Sequence, residues 1–379
     1  MSSRMVNKPF DVLVIGAGIN GLSAAYSLSH RKNLKIGILE QFSIGHVFGS
    51  SHGASRTTRS TYPHPTYIKL IQRAQNLEWP RWEKELGCQL IHRNPGCFFG
   101  TGKKFEEYIQ AIRHSGLEID LLDVSKAKTL FPQFRFQNAI AVLHDRTGGL
   151  IAAQKTIEHL KKGLLKNSVQ IFEHTKAVQI DSSQDPIVLM TNQGEMSAHR
   201  LIIATGPWIK ELVPRLKTVS IRQAVCYFKL QGPQELYQLG KFPNWSSIGE
   251  GKNQVFYGLP EFGGEGIKVA QHTTVGKEDD PHLIQLVPDS TRTIEEFVET
   301  QFASPIEKRI GSETCFYTNT LTEDFIIDLL DPRIAIGSVC SGHGFKFAPL
   351  TGKILSELVL FGKTTVPEFE ENRSIFSHY

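Results

Sequence analysis

Residues Val12–Gly21 read VLVIGAGING, four aliphatic side chains followed at once by a glycine-rich turn. The turn has the spacing G-x-G-x-x-G, and the residues after it place Leu22, Ala25 and Tyr26 on one face of a helix. A strand, a glycine turn and a helix in this order are typical of the place where a dinucleotide pyrophosphate meets a helix N-terminus. The sequence therefore predicts a dinucleotide-binding domain near the start of the chain.

Each glycine of the turn has its own role in such a site. Gly16 permits the tight turn, Gly18 lets the backbone approach the pyrophosphate, and Gly21 lets the helix pack closely on the strand. A second apolar strand, KIGIL at residues 35–39, ends at Glu40. A carboxylate there accepts the hydroxyls of the adenosine ribose and repels a 2′-phosphate, which disfavours NADP. The glycines alone do not separate FAD from NAD.

Two further apolar runs end in glycine turns, LIIA at residues 201–204 and IAI at residues 334–336. Runs of this kind predict strands that are buried on both faces of a parallel sheet and that bind ligands at their carboxyl ends. A helix is predicted over residues 348–361, with Phe361 on its apolar face and Gly362 as its stop.

The segments between these runs have a different pattern. Residues 104–115 predict an amphipathic helix, and residues 219–230 and 253–275 predict an antiparallel sheet, because they contain alternating or aromatic runs broken by glycine. The predicted fold class is therefore α/β with an α+β part: a Rossmann-like dinucleotide-binding domain and a second domain built on an antiparallel sheet. The predicted dinucleotide-binding domain comprises residues 1–85, 150–215 and 315–379, and the predicted substrate domain comprises residues 86–149 and 216–314.

Composition disfavours several classes of protein. The chain has 379 residues, enough for two domains, and a net charge of +4 without a run of Lys or Arg, so we expect no nucleic-acid partner. It has no run of about 18 apolar residues, so we expect no membrane span. Five cysteines without a CxxC pair predict no disulfide framework and no metal site. Residues 1–9 lack the apolar core of a signal peptide, and Ser377–Tyr379 is not a Ser-Lys-Leu address, so we expect a cytoplasmic protein.

Several motifs in the chain occur together, in the same order, in one enzyme family. They are SHGASRTTR at 51–59, ATGPW at 204–208, YGLP at 257–260, CFYTNT at 315–320, FIID at 325–328 and SGHGFKF at 341–347. Together they resemble the monomeric sarcosine oxidase family, over nearly the whole chain, and they lean towards its peroxisomal sarcosine and pipecolate oxidase branch. The resemblance implies an FAD domain of the glutathione-reductase type and a catalytic domain with an antiparallel sheet.

The resemblance also implies a reaction, in which a secondary amino acid, N-methyl or cyclic, is oxidised to an imine while O2 is reduced to H2O2. Cys315 matches the cysteine that forms a thioether with the 8α-methyl group of the flavin. Lys268 matches the lysine that activates oxygen, where its cation would stabilise superoxide. Arg56 and His52 match residues beside the flavin ring, where positive charge favours the anionic reduced form. Gly344 leads into a helix whose N-terminal dipole would face the flavin pyrimidine.

Other matching residues concern the substrate. Arg59 and Lys346 match the positions that hold its carboxylate, arginine as a planar two-bond clamp and lysine as a point charge. Tyr257, Tyr317 and His272 match residues that line the substrate cavity. Simple packing explains the two tyrosines as well, and His272 could equally be a hydrogen-bonded core histidine. The implied partners are a small secondary amino acid and O2, and the implied protein is a monomer.

Three alternatives to this oxidase stay open at the level of the sequence. An amino acid dehydrogenase with the same fold would pass electrons to a quinone or a carrier protein, but it would leave Lys268 without oxygen to activate. An RNA-modifying flavoenzyme needs a basic surface with aromatic residues, and the sequence shows none. A non-catalytic flavin-binding protein would leave Arg59, Lys268 and Lys346 unexplained. Which secondary amino acid is oxidised also stays open.

Overall fold

The computed structural model describes residues 8–251, 254–264, 266–273, 276–285 and 288–377. The expectations for a signal peptide and for a C-terminal address fall mostly on residues 1–7, 378 and 379, which lie outside the described residues. So do residues 253, 265, 274 and 275 of the segment predicted to form an antiparallel sheet.

The chain divides into two compact units, each built from separate segments. The structure assigns residues 52–85, which the sequence places in the dinucleotide-binding domain, to the second unit. The reason is pairing that the sequence does not reveal: residues 55–58 form a strand with residues 149–152. The first unit comprises Met1–Ser51, Thr156–Thr218 and Thr318–Tyr379, and the second comprises His52–Lys155 and Val219–Tyr317.

The elements of the described residues are numbered in chain order. Strands β1 to β19 are Phe10–Ile15, Ile36–Leu39, Ser55–Thr58, Ile91–Arg93, Gly96–Gly100, Ile119–Leu122, Ala141–Asp145, Gly149–Ala152, Gln170–Phe172, Ala177–Asp181, Ile187–Thr191, Gly194–Ile203, Val219–Leu230, Asn244–Ile248, Val255–Leu259, Ile267–Gln271, Ile306–Asn319, Ile326–Asp331 and Ile334–Ser338. Helices α1 to α10 are Ile19–Ser29, Pro65–Arg73, Trp79–Leu86, Gly102–Arg113, Val124–Leu130, Ala153–Lys166, Ile209–Leu212, Pro288–Gln301, Ala348–Phe361 and Pro367–Glu370. Short 3-10 helices span Gly206–Trp208, Gln234–Tyr237, Phe345–Phe347 and Arg373–Phe376, and a π-helical turn spans Ala74–Glu78.

The first unit is built on a sheet whose centre is parallel. Strand β1 pairs in parallel with β2 and with β12, and β12 pairs in parallel with β19. The register aligns Ile15 with Leu39 and Ile203, and Ile203 with Ile336, so the turns that follow these strands lie at one edge of the sheet. All four residues are buried, and so are the residues that precede them on the other face of the sheet, Val14, Ile38, Ile202 and Ala335. The predicted parallel sheet, buried on both faces, is confirmed.

Helix α9 has the predicted bounds and ends at Gly362, which has a φ of 73°. Its residues are buried nearly all round, because it packs between α1 and the sheet. The predicted position of Phe361 on the buried face is wrong, since 58% of its surface is exposed. A β-carbon on Gly352 would lie 2.4 Å from the backbone carbon of Ser23 in α1, so glycine sets how closely these two helices approach.

We therefore expect Gly352→Ala to lower the free energy of unfolding by about 1–3 kcal/mol, the usual effect of overpacking. Helix propensity alone would favour alanine by about 1 kcal/mol, so the collision with Ser23 decides the sign. Denaturant unfolding measures the difference. Gly311→Ala is the control, because its new methyl group would meet nothing within 4 Å; equal stability of Gly352→Ala and the unaltered chain would contradict the close helix contact.

The second unit contains an eight-stranded sheet in the order β17-β13-β16-β15-β14-β5-β7-β6 and a three-stranded sheet, β3-β8-β4. The predicted antiparallel pairing is confirmed for β13 with β16 and for β15 with β16. One pair, β14 with β5, is parallel, so the large sheet is mixed. Its core is rich in aromatic side chains such as Trp245, Phe134 and Phe302. The predicted amphipathic helix at 104–115 corresponds to α4. None of the helices in the described residues combines the length and apolar character that crossing a membrane requires.

Candidate active site

The glycine turn after β1 has the geometry that its sequence predicts. Gly16 has a φ of 96°, and a β-carbon there would lie 2.5 Å from the carbonyl oxygen of Ala204. A β-carbon on Gly21 would lie 1.8 Å from the carbonyl oxygen of Gly16, so the helix could not approach the turn with any larger residue. Gly18 precedes the first residue of α1, Ile19, whose amide donates to Ser51 Oγ at 3.0 Å. Ser51 is a contributor that the sequence motif did not identify.

Glu40 lies buried just after β2, the strand next to β1. Its Oε2 accepts from the amide of Ala17 at 2.9 Å, and its Oε1 accepts from the amide of Phe42 at 3.0 Å. Each carboxylate oxygen can accept a second hydrogen bond, so Glu40 retains acceptors for the two hydroxyls of a ribose. His46 Nε2 lies 3.5 Å from Oε1. Burial lowers the pKa of His46 despite the opposing charge of Glu40, so this neighbour stays largely neutral at pH 7.

The segment before α9 contributes two predicted residues to the first unit. A β-carbon on Gly344 would lie 2.1 Å from the carbonyl oxygen of Val339, so the chain can fold back there only at glycine. Gly344 begins a 3-10 turn that leads directly into α9. Lys346 lies in this turn with 4% of its surface exposed, and its Nζ donates to the carbonyl oxygen of His343 at 3.0 Å. The glycine turn, Glu40 and this helix N-terminus fit an adenine dinucleotide with its charged phosphates.

In the second unit, one face of the large sheet carries most of the other predicted residues. Cys315 and Tyr317 are two residues apart on β17, so their side chains point to the same face of the sheet. A small buried cluster on that face joins Cys315 to Tyr227 of β13 and Ala270 of β16, with Tyr257 of β15 packed against it. Tyr257 and Tyr317 share a hydrogen bond of 2.8 Å between their hydroxyl oxygens. Burial raises the pKa of Tyr257 to about 12, so its hydroxyl group stays protonated in the physiological range.

His272 follows β16, and its ring centre lies 5.3 Å from that of Tyr317. The predicted aromatic and imidazole groups are thus brought together. Cys315 is buried, and its Sγ is 3.7 Å from the carbonyl oxygen of Phe316. None of the five cysteines forms a disulfide. Burial raises the pKa of Cys97 well above its ordinary value and that of Cys226 to about 11, so neither Cys97 nor Cys226 is a thiolate at neutral pH.

Three predicted cationic residues form a cluster around a carboxylate that the sequence prediction missed. Lys268 is 4% exposed, and its Nζ lies 3.7 Å from Glu313 Oε1. His52 Nε2 lies 3.8 Å from Glu313 Oε2. Arg56 donates from Nη2 to the carbonyl oxygen of His52 at 2.5 Å and from Nη1 to that of Ser55 at 2.8 Å. The cluster contains two fixed positive charges, an imidazole and one carboxylate.

Arg59 forms a second group, enclosed by aromatic rings. Its guanidinium carbon lies 4.6 Å from the ring centre of Tyr62, 5.5 Å from that of Phe98 and 5.8 Å from that of Tyr108. Burial would lower the pKa of Arg59, but Tyr108, Tyr62 and the Asp145 carboxylate together raise it. Among the described residues, no carboxylate lies within ion-pair distance of Arg59. A charged guanidinium in this setting is suited to binding an anionic group.

Asp145 is fully buried and anchors the segment that follows Arg59. Its Oδ2 accepts from the amide of Ser60 at 2.9 Å and from the hydroxyl of Thr61 at 3.2 Å, while its Oδ1 accepts from Thr147. A carboxylate that accepts so many bonds fixes the backbone beside Arg59. The sequence signal that could have identified Asp145 is the Thr-Gly-Gly run that begins two residues after it. Across the described residues, no group of His, Cys, Asp and Glu is arranged to hold a metal ion.

A model of the family described as FAD dependent oxidoreductase matches residues 11–358, which include both the glycine turn and the cationic cluster. The chain belongs to this FAD dependent oxidoreductase family. The FAD that the family uses agrees with the glycine turn and with Glu40, and it resolves the choice between FAD and NAD that the glycines alone leave open. The protein is therefore an FAD-dependent oxidoreductase.

Several relatives of this FAD-dependent oxidoreductase cover almost all of it. A monomeric sarcosine oxidase from Arthrobacter sp. is 29% identical over 98% of this chain and 96% of its own. The peroxisomal sarcosine oxidase of Homo sapiens is 33% identical over 92% of each chain. The solved structure of NikD, an amino acid oxidase of nikkomycin biosynthesis, superimposes with a TM-score of 0.85 at 18% identity over 98% of each chain, which shows a shared fold. The predicted family and fold class are confirmed.

Proposed function

We propose that this FAD-dependent oxidoreductase oxidises a secondary amino acid, N-methyl or cyclic, to an imine and uses O2 as its electron acceptor, with release of H2O2. The sarcosine oxidases among its relatives support the substrate class. The choice of oxygen as electron acceptor depends on one observation: the Lys268 ammonium is buried on the sheet face that also bears Cys315. A cation fixed in a dry site stabilises negative charge as it develops on oxygen.

FAD would be the hydride acceptor of this reaction and the source of the electrons that later reduce oxygen. In the proposal, the glycine turn and Glu40 hold its adenosine diphosphate portion. Cys315 would form a thioether with its 8α-methyl group and so hold the cofactor permanently. The buried thiols Cys97 and Cys226 have raised pKa values and are poor nucleophiles, which supports Cys315 as the attachment residue.

Arg59 and Lys346 would hold the substrate carboxylate. The aromatic rings around Arg59 and the bonds of Asp145 beside it restrict where the guanidinium can move. A carboxylate held by a two-bond clamp and a point charge fixes one end of the substrate, so its reacting C–H bond has a defined direction. The linked hydroxyls of Tyr257 and Tyr317, with His272 beside them, offer hydrogen-bonding groups to the neutral amine.

The purified enzyme tests this function when it is incubated with sarcosine, other N-methyl amino acids, pipecolate and proline. We expect at least one of them to yield H2O2 in a peroxidase-coupled assay, with formaldehyde as a second product from an N-methyl substrate, whose imine is hydrolysed. A matched assay without oxygen, with an artificial dye as acceptor, measures how fast electrons pass to other acceptors. Fast dye reduction there, together with no peroxide in the assay with oxygen, would replace the oxidase with the dehydrogenase alternative.

We further propose that the enzyme works as a monomer in the cytoplasm. The name of the Arthrobacter relative supports the first proposal. Five cysteines without a disulfide, which are typical of a reducing compartment, support the second.

A further inference from the structure

Glu313 is a charged residue of the second unit to which neither the motifs nor the proposed mechanism gives a role. It lies on β17 two residues before Cys315, and because side chains alternate along a strand, both point to the same face of the sheet. Strand β13 lies next to β17, and its Tyr227 pairs in register with Lys268 of β16. Three neighbouring strands thus place a carboxylate, a phenol and an ammonium side by side.

The contacts of the Glu313 carboxylate are divided between its two oxygens. Oε1 accepts from the Tyr227 hydroxyl at 2.7 Å and lies 3.7 Å from Lys268 Nζ. Oε2 lies 3.8 Å from His52 Nε2. The chain passes close by at Gly53, where a β-carbon would lie 3.2 Å from Glu313 Oε1 and 3.4 Å from Arg56 Nη1. The carboxylate therefore lies at the centre of the cationic cluster.

Glu313 is ionised in this setting. Burial would raise the pKa of its carboxyl group, but Lys268, the Tyr227 hydroxyl, His52 and Arg56 outweigh burial and hold the pKa below its ordinary value. The titratable groups that face the carboxylate are His52 and Arg56, from the segment that contains β3, and Tyr227, Tyr257 and Lys268, from β13, β15 and β16. A negative charge among these cations reduces the net charge of the cluster by one.

We propose that Glu313 is a positioning residue for the reduction of oxygen, which holds Lys268 and His52 in place and offsets their charge, so that it sets how readily the bound flavin accepts electrons. This role rests on the proposed oxidase function. In the step concerned, O2 takes two electrons from the reduced cofactor and two protons from the site and solvent, and H2O2 leaves. Glu313 does not touch O2; it acts through Lys268.

Two consequences follow from removing the negative charge. An oxidised flavin near a more positive cluster binds anions more tightly and is reduced more easily, because the added charge is attracted to the cations. The Lys268 ammonium also loses its counter-charge and gives up its proton at a lower pH. Oxygen reduction that depends on this ammonium must then decline at a lower pH.

The test compares Glu313→Gln with Glu313→Asp and with the control Glu307→Gln. Glutamine keeps the size of the side chain and an acceptor for Tyr227, whereas aspartate keeps the charge. Glu307 lies on the same strand, is 43% exposed and pairs with Lys229, so its replacement changes the total charge equally at a solvated place. The readouts are the Kd of sulfite, which adds to oxidised flavins, the flavin reduction potential, and the pH profile of reoxidation by O2.

We expect Glu313→Gln to lower the sulfite Kd about tenfold, to raise the reduction potential, and to move the alkaline midpoint of reoxidation down by about one pH unit. Glu313→Asp should recover most of each change, and Glu307→Gln should show none. If Glu313→Gln matches the control in all three readouts, Glu313 is only structural and the proposal is wrong. If Glu313→Gln does not fold, Glu313→Ala takes its place: the same three shifts support the role, and readouts equal to those of Glu307→Gln overturn it.

Failure of the proposed function is distinguishable from failure of this inference. If the proposed function is wrong, the unaltered enzyme forms no H2O2 with any secondary amino acid. The sulfite Kd and the reduction potential require only bound FAD, so they still report the influence of Glu313 on the flavin.

Discussion

Lys268→Met should slow the reoxidation of the reduced enzyme by O2 about 10²–10³-fold, the usual cost of removing one preorganised charge from a reacting centre. Methionine has nearly the length of lysine and suits a buried place, but it cannot stabilise negative charge on oxygen. Lys268 is 4% exposed, and its Nζ is held near the carbonyl oxygen of Ser55 at 3.4 Å and near Glu313 at 3.7 Å. The ammonium group is therefore held in one place, and the variant removes a preorganised charge.

Rapid mixing separates the two halves of the reaction. The enzyme is first reduced anaerobically by its substrate and is then mixed with oxygenated buffer. Anaerobic reduction should stay nearly unchanged in Lys268→Met, because the carboxylate-binding residues are untouched. Lys229→Met is the matched control and should retain both rates, because Lys229 has a half-exposed side chain near the end of β13. Equal losses in both halves would assign Lys268 to substrate binding or folding instead of oxygen.

Cys315→Ser should abolish covalent attachment of the flavin. Acid precipitation of the unaltered enzyme should leave the yellow colour in the pellet, whereas the variant should release all of it into the supernatant. Serine has nearly the same size, but its hydroxyl group does not ionise to a nucleophile as a thiol does. Absorbance of the two fractions near the flavin maximum gives the proportion bound.

Cys226→Ser is the control for this experiment. Cys226 lies on the opposite face of β13 from Tyr227, and burial raises its pKa to about 11, so it should play no part in the linkage. Colour that stays in the pellet of Cys315→Ser would show that another residue forms the bond. Colour in the supernatant of the unaltered enzyme would show that its FAD is not covalently bound.

The parts of the fold that the sequence predicted correctly are encoded locally. The strand, glycine turn and helix around Gly16 use neighbouring residues, and so do the bounds of α9, which ends at Gly362. The boundary at residue 85 failed because strand β3 pairs with residues 149–152, a contact that no local pattern reveals. Gly352 was missed for the same reason, since in sequence it is a poor helix former and only its contact with Ser23 explains it.

The candidate site shows the same division. Lys268 and His52 could be proposed as site residues because a family resemblance supplied them. The structure places both beside the same carboxylate, that of Glu313. Glu313 was missed because a single charged residue on an alternating strand is usually exposed to solvent. Its spacing from Cys315 was the available signal. Asp145 was missed because its value lies in bonds to the backbone beyond Arg59, far away in sequence.

The order of segments in the first unit has a consequence for how the enzyme is made. Its central sheet needs β1 from the beginning of the chain, β12 from the middle and β19 from the last tenth or so, and α9 must pack on α1. A ribosome adds about 5–20 residues per second, so the N-terminal glycine turn waits many seconds for its final partners. A nascent chain can therefore complete the flavin-binding unit only after residues 334–361 have left the ribosome, and capture of the cofactor must wait until then.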